Sequence, residues 1–164
     1  PLEIRFYESV EGDFFPVEAT FEPVVSAKKH NIMLYPVEMR LADDYAEIFE
    51  KLELIGDVSV YYDAVNIIRD SFIPGRKFAE YLENSCEKRN VSVNEDRMGS
   101  LRSYVNNKYM LKKWKSFKRV QKIEGYEWET VLAIVCFFIN PIWKTLSNGE
   151  IFFEDWMPEL RKFM

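Results

Sequence analysis

Val131-Leu-Ala-Ile-Val-Cys-Phe-Phe-Ile139 is the longest unbroken apolar run in the chain, and the fold turns on how it is read. Nine residues are about half of what a bilayer span needs. The stretch Tyr126 to Ile139 is apolar on nearly all sides, which predicts a helix at the centre of a folded domain. Val131, Leu132, Ile134, Val135, Phe138 and Ile139 are the expected middle of its core. Downstream, Asn140-Pro141 predicts a new turn, Asn148-Gly149 a stop, and Asp155 the cap of a last short helix.

Working back from the run, residues 101–123 hold Arg102, Lys108, Lys112, Lys113, Lys115, Lys118, Arg119 and Lys122 and no acid. Asn94 or Ser100 opens this basic helix and Gly125 stops it. Phe78, Leu82 and Cys86 at four-residue steps predict an amphipathic helix ending near Asn90. Asp57 is suited to cap a helix through Ala64, Val65, Ile68 and Phe72, closed by Pro74-Gly75, although Val58 to Tyr62 alone would make a strand. From Ala42, the recurrence of Tyr45, Ile48, Phe49 and Leu52 predicts a helix that Asp43 and Asp44 start and Gly56 ends.

Leu2 to Tyr7 and Phe14 to Phe21 have the mixture of a hairpin, and Asn31 to Leu41 offers a third strand that Pro36 confines to an edge or bends. The expected fold class is α+β, a small N-terminal antiparallel sheet packed on a mainly helical body with a buried central helix. A single globular domain over 1–164 is expected, strand-rich over 1–41 and mainly helical over 42–164.

Composition narrows the class further. Hydrophobic residues at 48% and charged residues at 30% argue against a disordered or fibrous chain. The surplus is aromatic, 13 Phe, 9 Tyr and 4 Trp, and suits a dense core and a protein-binding face equally. Charge is uneven: residues 1–100 carry 11 Lys+Arg against 20 Asp+Glu, residues 101–164 carry 11 against 7, and an acidic and a basic face are expected. Cys86 and Cys136 lie too far apart for a zinc knuckle or redox pair, and free thiols in a reducing compartment are expected. With no secretory signal at Pro1-Leu-Glu-Ile-Arg5, the expected location is cytoplasmic, with no membrane contact.

Catalytic patterns are sought and not found. The glycines at 12, 56, 75, 99, 125 and 149 are too scattered to cradle a phosphate. The single histidine, His30, follows Lys28-Lys29 in an expected loop, and Cys136 sits in the apolar helix where a thiol is inert. No lysine has an acid two positions before it, which removes one metal-nuclease pattern, and Asp43-Asp44 and Glu154-Asp155 stand where helix caps are expected. No catalytic residue, metal or cofactor is expected.

Glu150-Ile-Phe-Phe-Glu-Asp-Trp-Met-Pro158, after an apolar helix, resembles the ending of some tailed-phage assembly chaperones. The likeness stops there, and no residue role is carried over from it.

The expected function is a non-enzymatic protein-binding module, an inhibitor, immunity protein or antitoxin of a bacterium or phage that neutralises a basic partner such as a nuclease toxin. Asp43, Asp44, Tyr61, Tyr62 and Asp63 are its candidate contacts. The alternative is a nucleic-acid-binding or phage assembly protein using 101–123. There the eight cations and Trp114 would form the site, with Tyr104, Tyr109 and Phe117 interleaved for stacking.

Overall fold

Pro36 divides the chain. In a computed structural model, which describes residues 17–21 and 30–164, Pro1–Pro36 and Val37–Met164 form two units. The described part of the first is a hairpin of β1 (Val17–Phe21) and β2 (His30–Leu34), antiparallel with Val17 opposite Leu34 and Phe21 opposite His30. His30, expected in a loop, is therefore a strand residue. The expected strand Leu2 to Tyr7 lies outside the described residues.

The second unit contains α1 (Val37–Lys51), α2 (Ser59–Asp70), α3 (Gly75–Lys88), α4 (Glu95–Ser103), α5 (Lys108–Gln121) and α6 (Trp128–Ser147). A short ribbon, β3 (Trp156–Met157) against β4 (Lys162–Phe163), closes it. Trp156 also exchanges backbone hydrogen bonds with Ile73, in the α2–α3 connection, at 2.9 and 3.3 Å. The mainly helical body with a small antiparallel sheet is as expected. The placement is not: the sheet within the helical unit comes from its C-terminal end, and Asp155 caps no helix there.

Several expected boundaries move for identifiable reasons. Pro36 precedes a helix and does not bend a strand, so Val37 to Leu41 are helical and Asp43 and Asp44 fall inside α1, away from its start. Pro74 and Gly75 open α3 where they were expected to close α2. The basic helix is two helices: Asn94 accepts the Arg97 N–H at 3.1 Å to cap α4, and Asn107 accepts the Tyr109 and Met110 N–H groups at 2.9 and 3.1 Å to cap α5. Lys122, left-handed at φ 55°, ends α5 ahead of Gly125. Finally, α6 runs through Pro141 to Ser147. The carbonyl that a proline at 141 leaves without its helical donor is that of Phe137, on the flank α6 leaves open to water.

That open flank is a further correction. Val131, Leu132, Val135, Phe138 and Ile139 are buried as expected, but Ile134 is only partly so and Phe137 is 62% exposed. By length and composition α6 could cross a membrane. Here it is the core helix, with Trp128, Ile142, Trp143 and Leu146 buried as well.

The aromatic surplus goes largely into this core. Tyr45 stacks on Phe138 at 5.9 Å, Phe49 on Trp143 at 3.8 Å, and Trp156 and Phe163 close over Phe138 at 5.2 Å each. Each tryptophan indole also donates to a backbone carbonyl: Trp114 to Tyr126, Trp128 to Tyr104, Trp143 to Asn94 and Trp156 to Ile68, at 2.7–2.9 Å. The first three acceptors lie in connections between helices, so these rings both fill the core and fix its loops. Among the described residues the exposed rings are Phe72, Tyr109, Phe137 and Phe153.

Candidate nucleic-acid interface

The basic segment folds into two populations of cations. Lys108, Lys112, Lys115, Arg119 and Lys122 are exposed, spaced four, three, four and three residues apart. At 3.6 residues per turn this spacing puts the first four, all on α5, within one narrow stripe, and Lys122, the left-handed residue that ends the helix, follows them. The stripe lies opposite the face that buries Met110 and Trp114 and is about 21 Å long at 1.5 Å per residue. None of the five side chains makes a hydrogen bond or ion pair among the described residues. Lys115 and Arg119 thus stand between like charges, an arrangement that contributes nothing to the fold and leaves a concentrated positive field.

The remaining cations serve the structure. Lys113 donates to the carbonyls of Glu53, at 3.2 Å, and Ile55, and its ammonium stands 4.2 Å from the Tyr109 ring centroid. Lys118 pairs with Glu127 at 2.7 Å, and Arg102, on α4, donates to the Asn140 side chain. Trp114 is buried against Phe117 and Trp128, and Tyr104 is buried with its hydroxyl on Glu53. Of the interleaved aromatic side chains only Tyr109, 56% exposed, is open for stacking.

The acidic candidates are brought together but turned inward. Asp43, Asp44, Tyr61, Tyr62 and Asp63 come from the facing helices α1 and α2. Tyr61 is fully buried, its ring 5.0 Å from Trp128, and burial pushes its hydroxyl well above the usual phenol range. Tyr62 packs on Phe117 and Tyr126. Asp43 accepts from Ser85 at 2.5 Å, and Asp63 pairs with Arg40 at 2.7 Å. Asp44 is the unusual group. Burial raises its carboxyl from about 3.8 to about 7, Arg40 opposes the rise, and Asp63, Asp43 and Glu47 add to it. Its Oδ2, like the Tyr61 hydroxyl, is buried without a hydrogen-bond partner.

No group of three or more His, Cys, Asp or Glu side chains among the described residues is arranged to hold a metal ion. Both cysteines are free thiols, as expected, and burial pushes Cys86 up to about 12 and Cys136 up to about 11, far from nucleophilic at neutral pH. The sequence could have shown the stripe in advance, since a 4-3-4-3 spacing of cations is legible in it. Which cations the fold uses depends on Glu53, Ile55 and Asn140, far away in sequence, and on Glu127, across the turn into α6. Comparison with protein-family models, with curated proteins and with solved structures finds no match, so the function is argued from these side chains alone.

Proposed function

We propose that the protein is a non-enzymatic nucleic-acid-binding module that lays α5 along a phosphate backbone without reading sequence. The observation that carries this is the stripe of five exposed cations whose side chains have no partner among the described residues. With Trp114 and Tyr104 buried, the segment holds one exposed ring, so base stacking contributes little and a duplex is a better ligand than a single strand. The formal charge of −5 opposes long-range approach. Screening limits that repulsion to about 8–10 Å at physiological salt, and within this distance the stripe dominates the field.

The test is fluorescence anisotropy with a 20-base-pair duplex, a matching single strand and anionic vesicles, over a salt series. Binding to the duplex should weaken with added salt, with a log–log slope approaching about −4.5 for up to five neutralised phosphates. The triple variant K108E/K112E/K115E should lose it. A parent that fails to bind at low salt, or a variant that binds equally well, overturns the proposal, and preference for the vesicles reassigns the stripe to a membrane surface.

Capture of a basic protein through Asp43, Asp44, Tyr61, Tyr62 and Asp63 draws less from the geometry, because Asp43 and Asp63 are held by Ser85 and Arg40 and the two tyrosine rings pack on the core.

A further inference from the structure

Between α3 and the segment that leaves α6 lies a surface groove of about 170 Å³. One wall is the α3 row Arg76, Ala79, Glu80 and Glu83, and the other is Gly149 to Phe152. The floor is apolar and buried, formed by Ala79, Leu146 and Phe152. The rim is acidic. Arg76 and Glu80 satisfy each other at 3.0 Å, while the carboxylates of Glu83 and Glu150 make no hydrogen bond or ion pair among the described residues. Two large apolar side chains, Ile151 at 62% and Phe153 at 66% exposed, stand beside the opening, with Arg76 5.9 Å from the Phe153 ring centroid.

The second wall is fixed by its sequence. Gly149, at φ 70°, ends α6 in the left-handed conformation, and the Glu150 N–H returns to the Thr145 carbonyl at 3.1 Å, which sets the direction of the segment that follows. That segment then runs against Gly75, the first residue of α3. A Cβ at Gly75 would lie 1.8 Å from the Glu154 carbonyl oxygen, so only glycine allows the approach. The Gly75 N–H donates to Asp155 at 2.9 Å and closes the contact. The groove is therefore preformed, and a ligand loses little free energy in ordering it.

We propose that this groove receives a basic amphipathic segment of a partner protein. One Lys or Arg lays its aliphatic stem on Ala79, Leu146 and Phe152 and places its charged head between Glu83 and Glu150, and a neighbouring apolar residue covers Ile151 and Phe153. The two unpaired carboxylates over an apolar floor match the two halves of such a side chain. An anionic or purely apolar segment would bury carboxylates without a counter-charge. The surface is separate from the α5 stripe, and its test does not depend on nucleic-acid binding.

The experiment is a titration of the isotopically labelled full chain with acetyl-Leu-Arg-Leu-Arg-amide, followed by amide chemical shifts. A charge-matched peptide with Gly for Leu and a neutral peptide with Gln for Arg serve as controls. Saturable shifts at Ala79, Glu83, Gly149 and Ile151 are expected, with both controls and the E83Q/E150Q variant at least about tenfold weaker. Equal shifts from the Gly peptide, undiminished binding to the variant, or shifts located elsewhere overturn the proposal. Concentration-dependent shifts at the same amides without peptide would assign the groove to a second copy of the chain, which also overturns it. Both variant positions are exposed, so loss of the fold does not confound the result.

Discussion

The two charged regions that stand out in the sequence end in opposite states. On α5 and at its C-terminal end, five exposed cations have no side-chain partner among the described residues. Between α1 and α2, Asp43 and Asp63 have partners, Tyr61 is buried and Asp44 is partly exposed with its Oδ2 buried. In sequence both are charged side chains among aromatic ones. The difference lies in the helical period. On α5 the free cations fall opposite the buried rings, whereas on α2 the sequence Val60-Tyr61-Tyr62-Asp63 places the aromatic side chains on or beside the packed face. A cluster of residue types is a candidate surface only when its spacing keeps the cluster on the side away from the core.

Both regions hang on α6, so the largest effect comes from breaking that helix. Val135 is fully buried, and its carbonyl accepts the Tyr45 hydroxyl at 2.8 Å. V135D places an unpaired carboxylate there, at a cost of several kcal/mol against a total stability of roughly 5–15. Thermal denaturation should show no cooperative transition, while A133D, at an exposed position on the same helix, should melt close to the parent. A V135D protein that melts normally would remove α6 from the centre of the core.

Trp128 is the direct link between the two regions, with ring contacts to Tyr61 at 5.0 Å and Trp114 at 5.7 Å and an indole bond to the Tyr104 carbonyl at 2.9 Å. W128A should cost about 3–5 kcal/mol in chemical denaturation, in the range for a buried ring removed from a packed site. A loss under about 1 kcal/mol would show that the regions are packed independently.

Asp44 tests the inward-turned region by pH. Its carboxyl is raised from about 3.8 to about 7 in the folded protein, with burial as the main cause. Between these values the unfolded chain releases a proton that the folded chain keeps, so stability falls as pH rises through this window. D44N removes that penalty. Relative to the parent it should gain about 1–2 kcal/mol at pH 8, allowing for the residue's partial exposure, and almost nothing near pH 4, where Asp44 is protonated in the native state. A variant as pH-dependent as the parent over pH 4–8 would place the titration elsewhere.

Much of the fold is legible in sequence because it rests on local periodicity: the apolar face of α6, the four-residue steps of α3, and the cap-suited residues Asn94 and Asp57, whose carboxylate accepts the Ser59 N–H at 2.9 Å. What is missed depends on partners far away in sequence. Asp155 looks like a cap, and becomes a ribbon residue because Gly75 and Met164 supply hydrogen-bond partners for its side chain and backbone. Pro141 looks like a stop, and is tolerated because the carbonyl it frees is on an open flank. The candidate site divides the same way. The stripe is written in the spacing of Lys108 to Lys122, while the loss of Lys113, Lys118 and Arg102 to internal bonds is set by tertiary contacts.

The smallest expected stability effect belongs to the stripe itself, and it separates a binding surface from a structural one. The side chains of Lys108, Lys112 and Lys115 have no partner among the described residues, so their replacement removes no interaction described there. Glutamate at position 108 lies in the first turn of α5, where the helix dipole favours an acid, and glutamate at position 115 gains Arg119 one turn further on. Against these gains, the three glutamates repel one another as the three lysines did, and the one at position 112 acquires no cation of the stripe at helical spacing. The terms are each a few tenths of a kcal/mol, so K108E/K112E/K115E should denature within about 0.5 kcal/mol of the parent while losing duplex binding. A net loss above about 1 kcal/mol would mean that these cations pair with the protein's own acidic residues in solution, and the stripe would then be part of the fold and unavailable as a docking surface.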